Sequence, residues 1–121
     1  MNWFLFLVAA LHVVFMLCEL FPWSVPVLLR LASSKLPGGG QWSEPQRTLV
    51  ATVVHNAGIY NGIIAAGLLW AAFGNDPSGN VARVLLAGAA AAGIFGTVTM
   101  KSPLTALQAA LGLLGLYLMN R

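Results

Sequence analysis

The sequence predicts an all-α integral membrane protein: one transmembrane domain over residues 1–121, built as a four-helix bundle with antiparallel neighbours. Three observations predict it. The chain is 59% hydrophobic and 7% charged, whereas a soluble domain carries about 25% charged residues. Its apolar residues gather into four segments, each close to the roughly 17–25 residues that cross a bilayer as a helix. Residues that stop and start helices separate those segments. Lipid-exposed backbone has to satisfy its own hydrogen bonds, so each segment is expected to be helical.

The first segment runs from about Asn2 to Phe21 and is closed by Pro22. It has no basic start, its apolar stretch exceeds that of a signal peptide, and Glu19 with the bulky "LFPW" fits a cleavage site poorly, so it reads as a retained helix. The second runs from about Gln46 to Phe73. "SEPQ" before it has the form of a capping box, in which the Ser43 hydroxyl and the Gln46 side chain answer free backbone N–H groups. "GNDPSGN" is a compact turn that ends the second helix and caps the third, about Val81 to Met100. "KSPL" places Ser102 at an N-cap and Pro103 at the first position of the fourth, about Leu104 to Met119. The last two connections are short, which predicts that helices two, three and four are antiparallel neighbours.

The first connection is longer. "WSVPVLLRLA" has the composition of a short interfacial helix, with Trp23 and Trp42 at headgroup level. Gly38–Gly40 make a flexible joint, and the whole reads as a surface loop rather than a lid. Small residues are frequent in the helices, notably the GxxxG at Gly58 and Gly62 and "AGAAAAGIFG" in the third. They let helix backbones approach closely in lipid, and packing within the bundle explains them better than homodimerisation does. Cys18 has no second cysteine to pair with and reads as a small buried apolar residue.

The formal net charge of +3 comes from few residues. No basic stripe appears, which argues against a nucleic-acid partner. The charges are better read as topology: Arg30, Lys35, Arg47 and Lys101 lie in the first and third loops, against Arg83 and Arg121 on the other side. By the positive-inside rule both termini face away from the cytoplasm in a bacterial cytoplasmic membrane.

The informative residues are the polar ones at membrane depth, since an ionisable group there costs at least a few kcal/mol and is by default functional. Measured from the side of the first and third loops at helical rise, Glu19 lies about 5 Å in and His12 about 15 Å. His55 and Asn56 lie about 12–14 Å in, Tyr60 and Asn61 about 20 Å, Thr97 and Thr99 within about 6 Å, and Gln108 about 8 Å. Most polar side chains thus share one half of the membrane. His12 and Glu19 fall on one side of helix one, and Asn56 and Tyr60 stack on one face of helix two. His55 points about 100° from Asn56. The expected inward-facing cluster is His12, Glu19, Asn56, Tyr60 and Gln108, with His55, Asn61, Thr97 and Thr99 at its margin. Taken singly, these residues read as interhelical glue, and Glu19 as a partner for Arg47. Taken together they read as a pocket.

Three functions compete. In the first, a lipophilic small molecule enters from the bilayer and is held by Trp23, Asn56, Tyr60, Asn61 and Gln108, while His12 and Glu19 shuttle protons as general acid and base in an isomerase-like step. The two are about 10 Å apart along the helix, so a ligand or water has to lie between them. In the second, the protein is a non-enzymatic, transport-related accessory or structural subunit, packed on a membrane partner or a second copy. In the third, His12, His55 and Glu19 bind a metal. That set has the right residue types but lacks H-E-x-x-H spacing, so no metal is expected. No nucleotide-binding signature appears, the sequence leaves the identity of any cofactor unknown, and the far half of the membrane lacks the relay a proton channel requires.

The same residues carry a resemblance. His12, Glu19 and Trp23, in an H-x6-E-x3-W pattern, resemble the first helix of a family of small bacterial membrane proteins, domain-of-unknown-function family 1304. "NAGIYNG", with Asn56, Gly58, Tyr60, Asn61 and Gly62, is similar to that family's second helix. "AGIFG" is similar to its third, with Phe95 where tyrosine is usual, and Gln108 matches a glutamine that opens the fourth. Phe95 argues against a required hydroxyl at that position, and "LPGGGQW" departs from the family's shorter first loop. The resemblance implies an integral membrane protein of four helices and brings no activity with it.

Overall fold

The structure, a computed structural model, describes residues 1–21, 30 and 42–121. The described residues are helical throughout apart from turns: α1 (Trp3–Leu20), α2 (Glu44–Trp70), α3 (Asn80–Met100) and α4 (Pro103–Met119). Three helices are long and apolar enough to cross a membrane: α1, α2 with its extension to Asn75, and α3. The fourth, α4, has 17 residues. Trp23, most of the stretch expected as an interfacial helix, and Gly38–Gly40 lie outside the described residues.

Local chemistry sets the boundaries. Helix α1 starts at Trp3 because Asn2 caps it: the Phe4 and Leu5 N–H groups donate to Asn2 Oδ1 at 3.1 and 3.3 Å. The expected capping box is present, with Ser43 N donating to Gln46 Oε1 at 2.9 Å and Gln46 N to Ser43 Oγ at 3.4 Å. Because Ser43 is the cap, α2 begins at Glu44, two residues before the expected start. Its far end does not stop at Phe73. The helix widens into a π turn over Ala71–Asn75, with Gly74 at φ 89°, a conformation glycine adopts without steric cost. The Ala72 carbonyl accepts from Asn2 N at 2.8 Å.

In the turn that follows, Asp76 Oδ2 accepts from Ala82 N at 2.9 Å and so answers an N–H in the first turn of α3. Ser102 caps α4 by accepting from Leu104 N, with Pro103 next to it, as the sequence indicates.

The chain forms two compact units, residues 1–12 with 63–121, and residues 13–62. The first unit holds the apolar core: Leu5, Val8 and Ala9 of α1, Leu68, Ala71 and Ala72 at the end of α2, and Ala82 and Leu86 of α3. Within it α3 and α4 meet at glycines. A Cβ on Gly112 would lie 2.6 Å from the Ala90 nitrogen, one on Gly93 would strike the Ala109 backbone, and one on Gly96 would lie 2.7 Å from Thr105. Residue numbers fall along α3 as they rise along α4. Arg83 ties the ends of this pair, donating to the Met119 carbonyl at 3.1 Å and the Ser78 carbonyl at 2.8 Å.

In the second unit the GxxxG of α2 seats the last turns of α1. A Cβ on Gly58 would lie 3.0 Å from Leu20 Cγ and 3.1 Å from Glu19 Cβ, and one on Gly62 would lie 2.7 Å from Met16 Sδ. Cys18 is exposed, not buried as expected. The reason is helical phase: Met16, Glu19 and Leu20 turn toward α2, which leaves Val14, Leu17 and Cys18 on an outward stripe at i, i+3 and i+4 spacing.

Candidate functional site

The two units divide the polar residues at membrane depth. His12, Thr97, Thr99 and Gln108 belong to the first, and Glu19, His55, Asn56, Tyr60 and Asn61 to the second. In the first, His12 is fully buried and Gln108 nearly so. Thr97 donates to the Gly93 carbonyl at 2.7 Å and lies 3.3 Å from Thr105 Oγ1 in the α3–α4 seam, while Thr99 is exposed and donates to the Phe95 carbonyl. Backbone back-bonding of this kind is ordinary for threonine in an apolar helix.

In the second unit, Glu19 is half-buried and its Oε2 accepts from Asn61 Nδ2 at 2.7 Å. Helix α2 therefore supplies a partner for the carboxylate. That partner is neither Asn56 nor Tyr60, both exposed, nor Arg47, which pairs with Glu44 at 3.3 Å. Asn56 and Tyr60 share a face of α2 as expected, but the face is not turned inward. Tyr60 and Asn61 are adjacent and so point about 100° apart. The glycines Gly58 and Gly62 fix which of them meets α1, because α1 can approach α2 closely only where no Cβ intervenes.

Beside this contact lies an open groove lined by Leu20 of α1 and by Thr52, Val53, His55, Asn56 and Ile59 of α2. Three lining residues are polar and three apolar. Thr52 Oγ1 donates to the Thr48 carbonyl at 2.9 Å. The side chains of His55 and Asn56 make no hydrogen bond among the described residues. Sequence reasoning placed His55 at the margin and passed over Thr52. The signal was available: Thr52, His55, Asn56 and Ile59 stand at i, i+3, i+4 and i+7, one continuous helical face. Among the described residues no three His, Cys, Asp or Glu side chains converge to share a metal ion.

A family model described as "Protein of unknown function (DUF1304)" matches residues 6–120. The chain belongs to this family. The resemblance read from His12, Glu19, "NAGIYNG" and Gln108 thus holds over nearly the whole chain. Among curated proteins, the chain is similar to the uncharacterized protein YpaA of Lactococcus lactis subsp. lactis (strain IL1403), with 33% identity over 73 residues. That alignment covers 60% of this chain and spans 61% of YpaA. No solved structure matches. The DUF1304 description assigns no reaction, so chemistry has to be argued from the groove and its neighbours.

Proposed function

We propose that this DUF1304 protein is a four-span antiparallel bundle of the bacterial cytoplasmic membrane that holds a lipophilic small molecule in the groove of residues 13–62. One observation carries the reading. On a helix apolar enough to cross a membrane, the side chains of His55 and Asn56 line an open groove and have no hydrogen-bonding partner among the described residues. Polar side chains facing hydrocarbon are unfavourable unless something bonds them. A ligand with a polar head and an apolar body answers both halves of the lining.

The Glu19–Asn61 contact supports the same reading as a brace, since it holds Leu20, one wall of the groove, against α2. Binding without turnover is the simplest function of this arrangement. His12 is buried in the other unit's share of α1, so an acid–base partnership with Glu19 is not needed to account for either residue. The excess of Lys and Arg in the first and third loops supports termini on the non-cytoplasmic side. A second reading, an accessory subunit packed on a membrane partner, is favoured by Gly88 of α3, where an added Cβ would meet no described atom within 4 Å beyond its own stretch of helix.

Native mass spectrometry of protein released from mild detergent tests the proposal. Wild type should carry a specific lipid-soluble adduct, which a folded His55→Leu/Asn56→Leu variant loses. A folded wild type that carries none would favour the accessory-subunit reading.

A further inference from the structure

We infer that the groove selects a neutral, lipid-soluble alcohol, bound through its hydroxyl. The inference rests on the groove being a ligand site and adds the ligand's chemical class. It comes from counting donors and acceptors along one helical face.

The Thr52 proton is already committed, because Oγ1 donates to the Thr48 carbonyl at 2.9 Å. What remains at Thr52 is an oxygen that accepts. Four residues on, Asn56 offers amide N–H donors, and His55 offers a ring nitrogen beside it. Asn56 also carries a carbonyl oxygen that accepts, so the pair offers two acceptors and the amide donors, and the head group that uses both residues donates to Thr52 and accepts from Asn56. A hydroxyl does both with one oxygen, whereas a ketone, quinone, ester or ether has no proton for Thr52. The spacing fits. Side chains at i and i+4 stand about 5–6 Å apart at Cβ, and one oxygen making two hydrogen bonds of about 2.8 Å spans that gap.

Charge narrows the class further. Among the described residues no Lys or Arg lines the groove. A fatty-acid carboxylate or a phosphate head would therefore find no described Lys or Arg in the lining to pair with. Leu20, Val53 and Ile59 supply the apolar surface for the alkyl or ring body.

The test uses full-length protein in phosphatidylcholine nanodiscs with three probes of equal chain length: hexadecan-1-ol, hexadecyl methyl ether and hexadecanoic acid. Binding is read by native mass spectrometry, with thermal unfolding as a check that each variant is folded. The alcohol should bind about tenfold more tightly than the ether, the effect of one hydrogen bond, and the acid should bind least. Thr52→Val should bring the alcohol down to the level of the ether, and Thr52→Ser should keep the preference. Equal binding of alcohol and ether to wild type would overturn the alcohol class while leaving the groove a ligand site. Strongest binding of the acid would overturn neutrality, and an undiminished preference in Thr52→Val would remove Thr52 from the recognition. Failure of all three probes to bind would overturn both this inference and the proposed function.

Discussion

Residues 13–62 bury a single described residue, Gly58, whereas the unit of residues 1–12 and 63–121 buries a continuous apolar cluster running from Leu5 through Leu68 to Leu86. The same apolar alphabet is used in both. One unit is closed by glycine and alanine contacts in which backbone meets backbone. In the other, α1 and α2 meet through the Glu19–Asn61 hydrogen bond beside the two glycines, and Asn56 and Tyr60 are exposed. Regions with few buried contacts are where binding surfaces are drawn from, because they tolerate rearrangement. The comparison therefore separates the part of the chain that holds the described core from the part in which the proposed ligand groove lies.

The comparison can be broken most decisively at Gly112. A leucine there would push its Cβ to within 2.6 Å of the Ala90 nitrogen, and backbone cannot yield as a side-chain tip can. Gly112→Leu should lower stability by about 3 kcal/mol or prevent folding, as read by thermal unfolding in detergent. A variant that melts like wild type would show that the seam is looser than described. His12→Ala should cost about 2–4 kcal/mol as a large-to-small change in a packed interior, yet leave any bound lipid-soluble molecule in place. Loss of the molecule without loss of stability would move His12 from the fold-holding unit to the site.

Smaller effects sharpen the contrast. A double-mutant cycle of Glu19→Gln with Asn61→Ala, followed by thermal unfolding, should give a coupling of about 1–2 kcal/mol. A coupling near zero would deny that the contact braces the second unit. Ser102→Ala should cost about 1 kcal/mol through its lost cap, an effect an unfolding curve can resolve. Asn56→Leu should shift stability by less than about 0.5 kcal/mol, as an exposed position does, while abolishing adduct retention. A large destabilisation instead would class Asn56 with the glue.

The helices and their caps were legible because their signals are local. Ser43 with Gln46, and Ser102 with Pro103, act over a few residues, and the structure places them as the spacing indicates. The widened turn at Ala71–Asn75 was not legible. Its carbonyl at Ala72 bonds Asn2, a partner seventy residues away in the chain. The choice of Asn61 over Asn56 was missed for a different reason. Polar spacing along α2 shows which residues share a face, but which face meets α1 depends on Met16, Leu20 and the two glycines acting together. Cys18 was misplaced by the same gap in phase. The groove fell between these cases: its face on α2 could be counted in the sequence, but the place of Leu20 beside it could not.

The pairing of Asn61 with Glu19 also has a consequence for how α1 and α2 find each other. Gly58 and Gly62 are one turn apart, so an alignment slipped by four residues would still set a glycine against Leu20. Packing alone therefore scarcely distinguishes the correct docking from its neighbour. In the alignment that brings Gly62 to Leu20, the residue opposite Glu19 is Ala65, four positions beyond Asn61. Alanine cannot donate a side-chain hydrogen bond, so the carboxyl group would lose the amide partner it has in the described docking. One amide thus serves as the address label for two helices whose shapes would otherwise accept more than one answer.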